Sequence, residues 1–291
     1  MRQALKPEVK AFLDDNSETF SYVVYDHQGG QGVIIDPVLG FDQASGRTNT
    51  ELAQQQIDFV REQQLTIQWI LETHAHADHL SVAPFLREQL QASIGIGEHI
   101  IQVQAIFRDI FALDPEFTAD GRQFDGLFAE GDTFNVGELQ IRVLYSPGHT
   151  PADIAYLINE QVLFVGDTLF MPDKGTARCD FPGGSSQRLF QSIGRLLALA
   201  PETDIYVCHD YPNGERDHQC RTTVAEQRAG NIHVHDGIDE AGFMAMRDKR
   251  DATLGMPKLI LPAIPVNIRA GGLPPADEQG KVFLKLPINA L

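Results

Sequence analysis

A dense run of histidine and aspartate, H-A-H-A-D-H at residues 74–79, constrains this chain more than any other feature. It directly follows residues 66–72 (TIQWILE), an apolar run that predicts a buried strand. Small alanines stand between the polar residues, so a tight turn after the strand can aim imidazoles and a carboxylate at one point. Borderline cations favour this mixture of nitrogen and oxygen ligands, whereas Mg²⁺ and Ca²⁺ favour all-oxygen shells. The run therefore predicts a metal site at the end of a strand.

Three further candidate ligands also follow predicted strands, each within a residue or a short loop. They are His149, Asp167 and His209, after the predicted strands 139–145, 162–165 and 204–207. A lone histidine or aspartate in such a place is more often a hydrogen-bonded or helix-capping residue. In layered α/β proteins, however, ligands gather beyond the strand ends, where loops converge. Four such loops in one chain predict a shared metal centre.

Strand-like and helix-like patterns alternate through both halves of the chain, without a long Gly/Ser linker between them. We therefore expect an α/β layered fold in a single domain, residues 1–291, a length that such folds reach as one unit. Its core is predicted at about residues 18–215. A helical and then Pro-rich extension, about residues 216–291, is expected to pack on that core, and residues 39–50 are expected to form an additional loop.

The charge balance argues against polyanionic partners. The formal net charge is −17, from 40 acidic and 23 basic residues, and this field repels nucleic acid and anionic membranes. The three cysteines include no C-x-x-C pair and are too few for a disulfide framework, which favours a reducing compartment. Residues 1–18 lack the apolar core of a signal peptide, and no apolar run is long enough for a membrane span. We therefore expect a cytoplasmic protein.

The order and spacing of these motifs resemble the metallo-β-lactamase superfamily over about residues 18–215. The resemblance implies a four-layer αββα sandwich and two adjacent metal sites. The first site would consist of His74, His76 and His149, and the second of Asp78, His79 and His209. Asp167 would bridge the two sites.

Motifs outside the metal ligands resemble one family in particular, the persulfide dioxygenases, also called sulfur dioxygenases or ETHE1-like proteins. These motifs are G-T-A-R-C-D-F-P-G-G at 175–184, H-D-Y at 209–211, T-V-A-E-Q-R with a following Asn at 223–231, and P-V-N-I-R-A-G at 265–271. This resemblance extends over nearly the whole chain. Two departures from the family indicate a divergent bacterial-type branch: residues 177–180 (A-R-C-D) replace the commoner G-R-T-D, and residues 39–50 resemble an extra loop.

The family resemblance implies oxidation of glutathione persulfide by O₂ to sulfite and glutathione, at one Fe(II) per chain. By motif position the iron ligands fall on His74, His149 and Asp167, a facial triad with open positions. The other candidates would orient these ligands as outer groups: His76, Asp78, His79 and His209. Three residues are candidates for substrate binding: Arg178, Tyr211 and Arg269. Arg178 could hold a ligand together with Asp180 or grip a substrate carboxylate, or could instead form a solvated or structural ion pair.

A second interpretation remains open at this level, because the ligands of a binuclear hydrolase are also present. Such an enzyme would be a thioesterase of glyoxalase II type with one or two Zn(II) ions, using metal-bound hydroxide. The H-D-Y and P-V-N-I-R-A-G segments favour the dioxygenase.

A third interpretation is a non-catalytic sensor on the same fold, but such proteins usually lack metal ligands, and none is missing here. The expected partners are therefore a small thiol persulfide and O₂, with an assembly of identical subunits left open.

Overall fold

A computed structural model describes residues 5–212, 214 and 216–290 of the chain. The first half of the chain forms nine strands and three helices among the described residues. In chain order they are β1 (Glu8–Asp14), β2 (Thr19–Tyr25), β3 (Gln31–Ile35), β4 (Val38–Asp42), β5 (Arg47–Asn49), α1 (Glu51–Glu62), β6 (Thr66–Leu71), β7 (Leu80–Ser81), α2 (Ala83–Leu90), β8 (Ser93–Gly97), α3 (Ile100–Ile110) and β9 (Gly126–Phe128). Six strands form one sheet in the order β1-β2-β3-β6-β8-β9. Within it β3, β6 and β8 run parallel, so their carboxyl ends lie at one edge.

The second half adds a second six-stranded sheet, in the order β10-β11-β12-β13-β14-β15. Its elements are β10 (Thr133–Val136), β11 (Leu139–Tyr145), β12 (Ile154–Ile158), β13 (Val162–Phe164), α4 (Ser186–Leu196), β14 (Asp204–Tyr206) and β15 (Arg221–Thr223), and the helices α5 (Val224–Gly230), α6 (Glu240–Asp251) and α7 (Ile260–Asn267) follow. The neighbours β13 and β14 are parallel. The ends of these two strands therefore point the same way.

Alternation along the strands sends side chains into different layers of the core. In β12, Tyr156 packs between the two sheets, whereas Leu157 packs against α4 and α6 on the outer face. In β3, Val33 faces the second sheet and Ile34 faces α1, α2 and α3. Because both faces of each sheet are covered, central strands such as β12 and β13 are apolar throughout. This arrangement confirms the predicted four-layer αββα sandwich.

Residues 39–50 are not an additional loop, as the sequence suggested, but contain most of a β-hairpin. Strands β4 and β5 pair in antiparallel register from Gly40↔Asn49 to Asp42↔Arg47. The pattern was missed because β5 is exposed along its whole length and therefore shows no apolar alternation. β4 also pairs with β7, which follows the H-A-H-A-D-H run directly. The hairpin thus braces one end of that run.

The Pro-rich C-terminal stretch begins inside a helix. α7 contains Pro262 in its first turn, where backbone N–H groups have no partner within the helix, and it continues through Pro265. Its side chains, such as Ile264, are buried in the core against α2 and α3. None of the helices in the described part of the chain is both long and apolar enough to cross a membrane.

Candidate metal centre

Residues 74–79, called here the metal loop, leave the carboxyl end of β6 and turn back into β7. The imidazoles of His74 and His76 have ring centroids 4.0 Å apart, and those of His76 and His79 are 4.1 Å apart. All three side chains are at least 98% buried. The intervening Ala75 and Ala77 are buried in the core beneath the loop. The sequence therefore folds into a turn that stacks its histidines on one side.

Three other loops bring their ligands to the same place, as the strand-end pattern predicted. His149 follows β11 in the turn at 146–150, Asp167 follows β13, and His209 follows β14. The turn before His149 requires glycine, because Gly148 has a φ of +151° and a Cβ there would lie 2.3 Å from the Leu189 Cα. Helix α4 can therefore pack closely beneath this loop.

The first group of ligand atoms consists of two imidazoles and one carboxylate. The ligand atoms of His74, His149 and Asp167 all lie within 4.8 Å of one another. Asp167 Oδ2 is 3.4 Å from His149 Nε2 and 3.8 Å from His74 Nε2. His149 Nδ1 donates to the Arg178 carbonyl oxygen at 2.7 Å, which leaves Nε2 as the free lone pair facing the group. Thr73 Oγ1 lies 3.1 Å from His74 Nδ1 and supports that ring in the same way.

A second group shares Asp167 with the first. His209 Nε2 is 3.0 Å from Asp78 Oδ2 and 3.2 Å from Asp167 Oδ1. The outer nitrogen of this ring, Nδ1, lies 3.2 Å from both Thr19 Oγ1 and the Glu18 carbonyl oxygen. Asp167 thus has one oxygen toward each group, in the bridging position that the resemblance implied.

His76 lies against both His74 and His79 in the metal loop. Its candidate ligand atom lies within 4.8 Å of those of Asp78 and His79, so its place in the first metal site, which the superfamily resemblance implied, stays a prediction. His76 Nε2 is 3.0 Å from Asp36 Oδ1, so only Nδ1 remains for a metal. Asp36 also accepts hydrogen bonds from the Thr73 amide and hydroxyl at 2.7 and 2.9 Å. Asp36 therefore fixes both Thr73 and His76. It was not singled out from the sequence.

Six buried polar atoms at this centre have no hydrogen-bond partner among the described residues. They are His74 Nε2, His76 Nδ1, Asp78 Oδ2, His79 Nε2, Asp167 Oδ1 and His209 Nε2. Each buried polar atom of this kind lowers the stability of the folded protein by about 1–3 kcal/mol when nothing binds it. The convergence of these nitrogen and oxygen atoms fits a cation of the kind that prefers mixed imidazole and carboxylate ligands.

The protonation of the imidazoles differs within the centre. Despite burial, neighbouring carboxylates raise the pKa of His76 to about 10 and also raise the pKa of His209, whereas two other rings are shifted the opposite way. Burial lowers the pKa of His74 well below its ordinary value, and nearby imidazoles lower it further. Burial and His76 lower the pKa of His79 to about 3. The rings of His74 and His79 are therefore neutral near pH 7, which is the form that binds a metal.

A cavity of about 490 Å³ opens beside Asp78, His149 and Asp167. Its walls combine aromatic and aliphatic side chains with five basic ones. The basic residues are Lys174, Arg178, Arg247, Arg250 and Lys258, and the apolar ones include Phe170, Phe181, Leu254 and Leu259. Glu18, Asp78 and Asp167 also line the cavity. Because Arg178 and Arg247 are paired with Asp180 and Asp251, the positive charge that a ligand can reach is mainly that of the exposed Arg250 and Lys258. The cavity therefore suits an anionic molecule with an apolar part.

Of the three residues predicted to bind substrate, Arg178 and Tyr211 line this cavity. Arg178 forms two hydrogen bonds with Asp180, of 2.5 and 2.6 Å, and a third with the Gly255 carbonyl oxygen at 2.6 Å. The bond to Asp180 also raises the pKa of the guanidinium. Arg178 thus joins the loop 175–184 to the segment after α6. Tyr211 stacks on His209 at 5.7 Å, and burial raises its pKa well above the ordinary value, so its hydroxyl stays protonated.

Arg269, the third predicted substrate residue, is not among the residues that line this cavity. Its guanidinium lies 4.5 Å from the ring centroid of Phe117 and 3.7 Å from Asp114, beside a different cavity of about 310 Å³. Arg269 lies in the turn that follows α7, beyond the last helical residue, so its side chain leaves the helix end in a different direction. Asn267, two residues earlier, points to the metal loop instead.

The T-V-A-E-Q-R…N motif supports the cavity from outside. Asn231 donates to the Gly175 carbonyl oxygen at 3.1 Å, and Gln227 donates to the Phe170 carbonyl oxygen at 2.8 Å. Thr223 and Glu226 form a reciprocal cap at the start of α5. The motif therefore fixes the chain between residues 170 and 175, which leads from Asp167 to Arg178.

Comparisons with known proteins agree with this geometry. A sequence profile of the metallo-beta-lactamase superfamily matches residues 15–209. A probable metallo-hydrolase of Burkholderia pseudomallei is 47% identical over 97% of this chain and 99% of its own length. Glyoxylase B2 of Dictyostelium discoideum is 46% identical over 98% of both chains. The mitochondrial persulfide dioxygenase ETHE1 of Bos taurus is 27% identical over 90% of this chain and 88% of its own.

Among solved structures, ETHE1 from Myxococcus xanthus superimposes with a TM-score of 0.72 at 29% identity. The match covers 91% of this chain and all of the other. The similarity to both ETHE1 proteins therefore extends beyond residues 15–209, into the segments that follow His209.

Proposed function

The chain belongs to the metallo-β-lactamase superfamily, and we propose that within it the protein is a glutathione persulfide dioxygenase with one Fe(II). The observation that carries this proposal is the group of His74, His149 and Asp167 beside a basic cavity. Two imidazoles and one carboxylate are the ligands of many non-haem iron oxygenases, and they leave positions open for other molecules. Bound there, iron would supply the redox chemistry by which O₂ reacts with a sulfur compound.

The overall reaction is GSSH + O₂ + H₂O → GSH + SO₃²⁻ + 2H⁺. The sulfur–sulfur bond breaks and the outer sulfur leaves as sulfite. O₂ accepts four electrons and contributes two of the oxygen atoms, and water contributes the third. The similarity to persulfide dioxygenases over 90% of the chain supports this assignment.

The residues around the centre have distinct parts in this proposal. The Arg178 carbonyl oxygen keeps the His149 ring in the tautomer that presents Nε2. Phe170 and Phe181 give the cavity apolar walls against the thiol part of the substrate. Arg250 and Lys258, which are exposed at the cavity wall, offer positive charge to the two carboxylates of the glutathionyl group.

Metal content is the most direct test of the iron assignment. We expect about one iron per chain in protein purified without added metal, with activity proportional to iron, because the group of His74, His149 and Asp167 has the composition that suits one Fe(II) and the proposed reaction needs one. Elemental analysis alongside the activity assay measures both quantities. Two zinc ions per chain, with activity that follows zinc, would contradict the dioxygenase assignment.

A second candidate function is hydrolysis of a glutathione thioester with two metal ions. It is favoured by the second group, Asp78, Asp167 and His209, which is complete. The similarity to glyoxylase B2 of Dictyostelium discoideum at 46% identity agrees with it. In that case Asp167 would bridge two ions and the cavity would receive the same glutathionyl group. The two candidate functions therefore differ in the metal and in the reaction, but in both the substrate carries a glutathionyl group.

A further inference from the structure

The side chain of Asn267 reaches from the end of α7 to the backbone of the metal loop. Its Nδ2 donates to the carbonyl oxygens of His76 and His79, both at 2.8 Å. Its Oδ1 accepts the Ser81 amide hydrogen, also at 2.8 Å. The side chain is buried, with 4% of the residue exposed. Both amide hydrogens and the amide oxygen are therefore used on one stretch of six residues.

These three hydrogen bonds act on the shape of the loop. A single amide group holds two carbonyl oxygens that are three residues apart, and these belong to two of the ligand-bearing residues. If an apolar side chain replaced Asn267, the buried carbonyl oxygens of His76 and His79 would lose this hydrogen-bond donor. The distance between the two carbonyls sets how tightly the loop turns between His76 and His79, where Asp78 lies.

Further contacts continue from this clamp toward the ligands. Ser81, whose amide hydrogen Asn267 accepts, donates its hydroxyl hydrogen to Glu72. The other oxygen of the Glu72 carboxylate is 3.6 Å from His76 Nε2. That nitrogen in turn contacts Asp36 at 3.0 Å. The backbone and the outer faces of the imidazoles are thus supported by one connected set of groups.

Asn267 is itself fixed by the packing of α7. Gln104 on α3 donates to the Ile268 carbonyl oxygen at 2.9 Å. After the helix, Gly271 has a φ of +81°, and a Cβ there would lie 2.8 Å from the Ser81 carbonyl oxygen. The chain after Asn267 therefore passes closely over β7, which directly follows the metal loop. A rigid element that is remote in sequence carries the clamp.

We infer that Asn267 is a positioning residue for the metal centre. It binds no metal and touches no substrate, but its hydrogen bonds hold the metal loop in the conformation that brings its ligand atoms together. Outer groups that orient metal ligands affect metal affinity strongly, commonly by about 10- to 100-fold. This role applies to either candidate reaction, since both use the metal loop.

The test measures metal binding rather than activity. The variants are Asn267→Asp, which keeps the side-chain size and the bond from Ser81, and Asn267→Ser, which leaves room for water. Metal-free protein is titrated with Co(II), and competition with a chelator gives the affinity. We expect affinity about 10- to 100-fold below wild type in both variants, with altered Co(II) visible absorption, because the loop ligands adopt a different geometry.

Gln104→Leu is the matched control. It removes a buried hydrogen bond that holds the same end of α7, but it leaves the three bonds to the metal loop in place. We expect this variant to lose stability and to keep wild-type Co(II) affinity and absorption. Wild-type binding in both Asn267 variants, or an equal loss in Gln104→Leu, would overturn the inference. Failure of both Asn267 variants to fold while Gln104→Leu folds would also overturn it, because the role would then be general stability.

Discussion

Replacing Asp167 with asparagine is expected to lower kcat/KM by at least about a thousandfold, or ~4 kcal/mol in transition-state free energy, while the protein stays folded. Asp167 is the carboxylate that both ligand groups share, with Oδ2 3.4 Å from His149 and Oδ1 3.2 Å from His209. Asparagine removes the negative charge and turns an N–H group toward a ring nitrogen or a cation. The effect is measured by steady-state kinetics together with the metal content of each preparation.

His149→Ala should have an effect of similar size, since it removes another ligand from the same group. Asp236→Asn serves as the control, because Asp236 is an exposed carboxylate paired with Arg228 at the surface. It should behave as wild type. Full activity of Asp167→Asn or His149→Ala, with wild-type iron content, would remove that residue from the proposed centre.

Arg247→Met is expected to lower the free energy of unfolding by about 3–5 kcal/mol, the usual cost of leaving one charge of a buried pair without its partner. Arg247 is 1% exposed and donates to Asp251 from two nitrogens, at 2.5 and 2.8 Å. Its Nη1 donates to the Thr176 carbonyl oxygen at 3.1 Å. Asp251 in turn accepts the Cys179 amide hydrogen at 2.8 Å. The pair therefore attaches α6 to the loop that supports His149.

Urea unfolding of two further variants separates the buried charge from other causes. The double variant Arg247→Met, Asp251→Leu should lose clearly less stability than the single one, because no unpaired charge remains buried. Arg228→Ala breaks an exposed ion pair and should leave the free energy of unfolding close to that of wild type. A loss below about 1 kcal/mol in Arg247→Met would contradict this account of the pair.

Local patterns predicted the strands that deliver the ligands. Strand 154–158 forms at the expected residues because its continuous apolar run is buried on both faces, and strand 139–145 because buried Leu139, Ile141 and Val143 alternate with less buried residues. The strand β5 was not predicted, because it is exposed and polar and pairs only through its backbone. Its partner β4 is fixed by β7, forty residues away in sequence, and no local pattern reports that contact.

The ligand-bearing residues were predictable because each follows a strand in a short, distinctive motif. Their supports were not, since Asp36, Arg247 and Asn267 act through contacts that only the folded chain creates. From the P-V-N-I-R-A-G motif, Arg269 was predicted to reach the substrate pocket. In the structure the motif's neutral Asn267 reaches the metal loop, and Arg269 faces another cavity.

The proposed oxidation of glutathione persulfide can be tested in two parallel assays on one preparation of known metal content. An oxygen electrode follows O₂ uptake with glutathione persulfide while sulfite is quantified, and a second assay follows hydrolysis of S-lactoylglutathione. With one Fe(II) held by His74, His149 and Asp167, we expect O₂ uptake with sulfite in equal amounts and slow thioester cleavage. Fast thioester cleavage without O₂ uptake would contradict the account and assign the protein to the hydrolases of its superfamily.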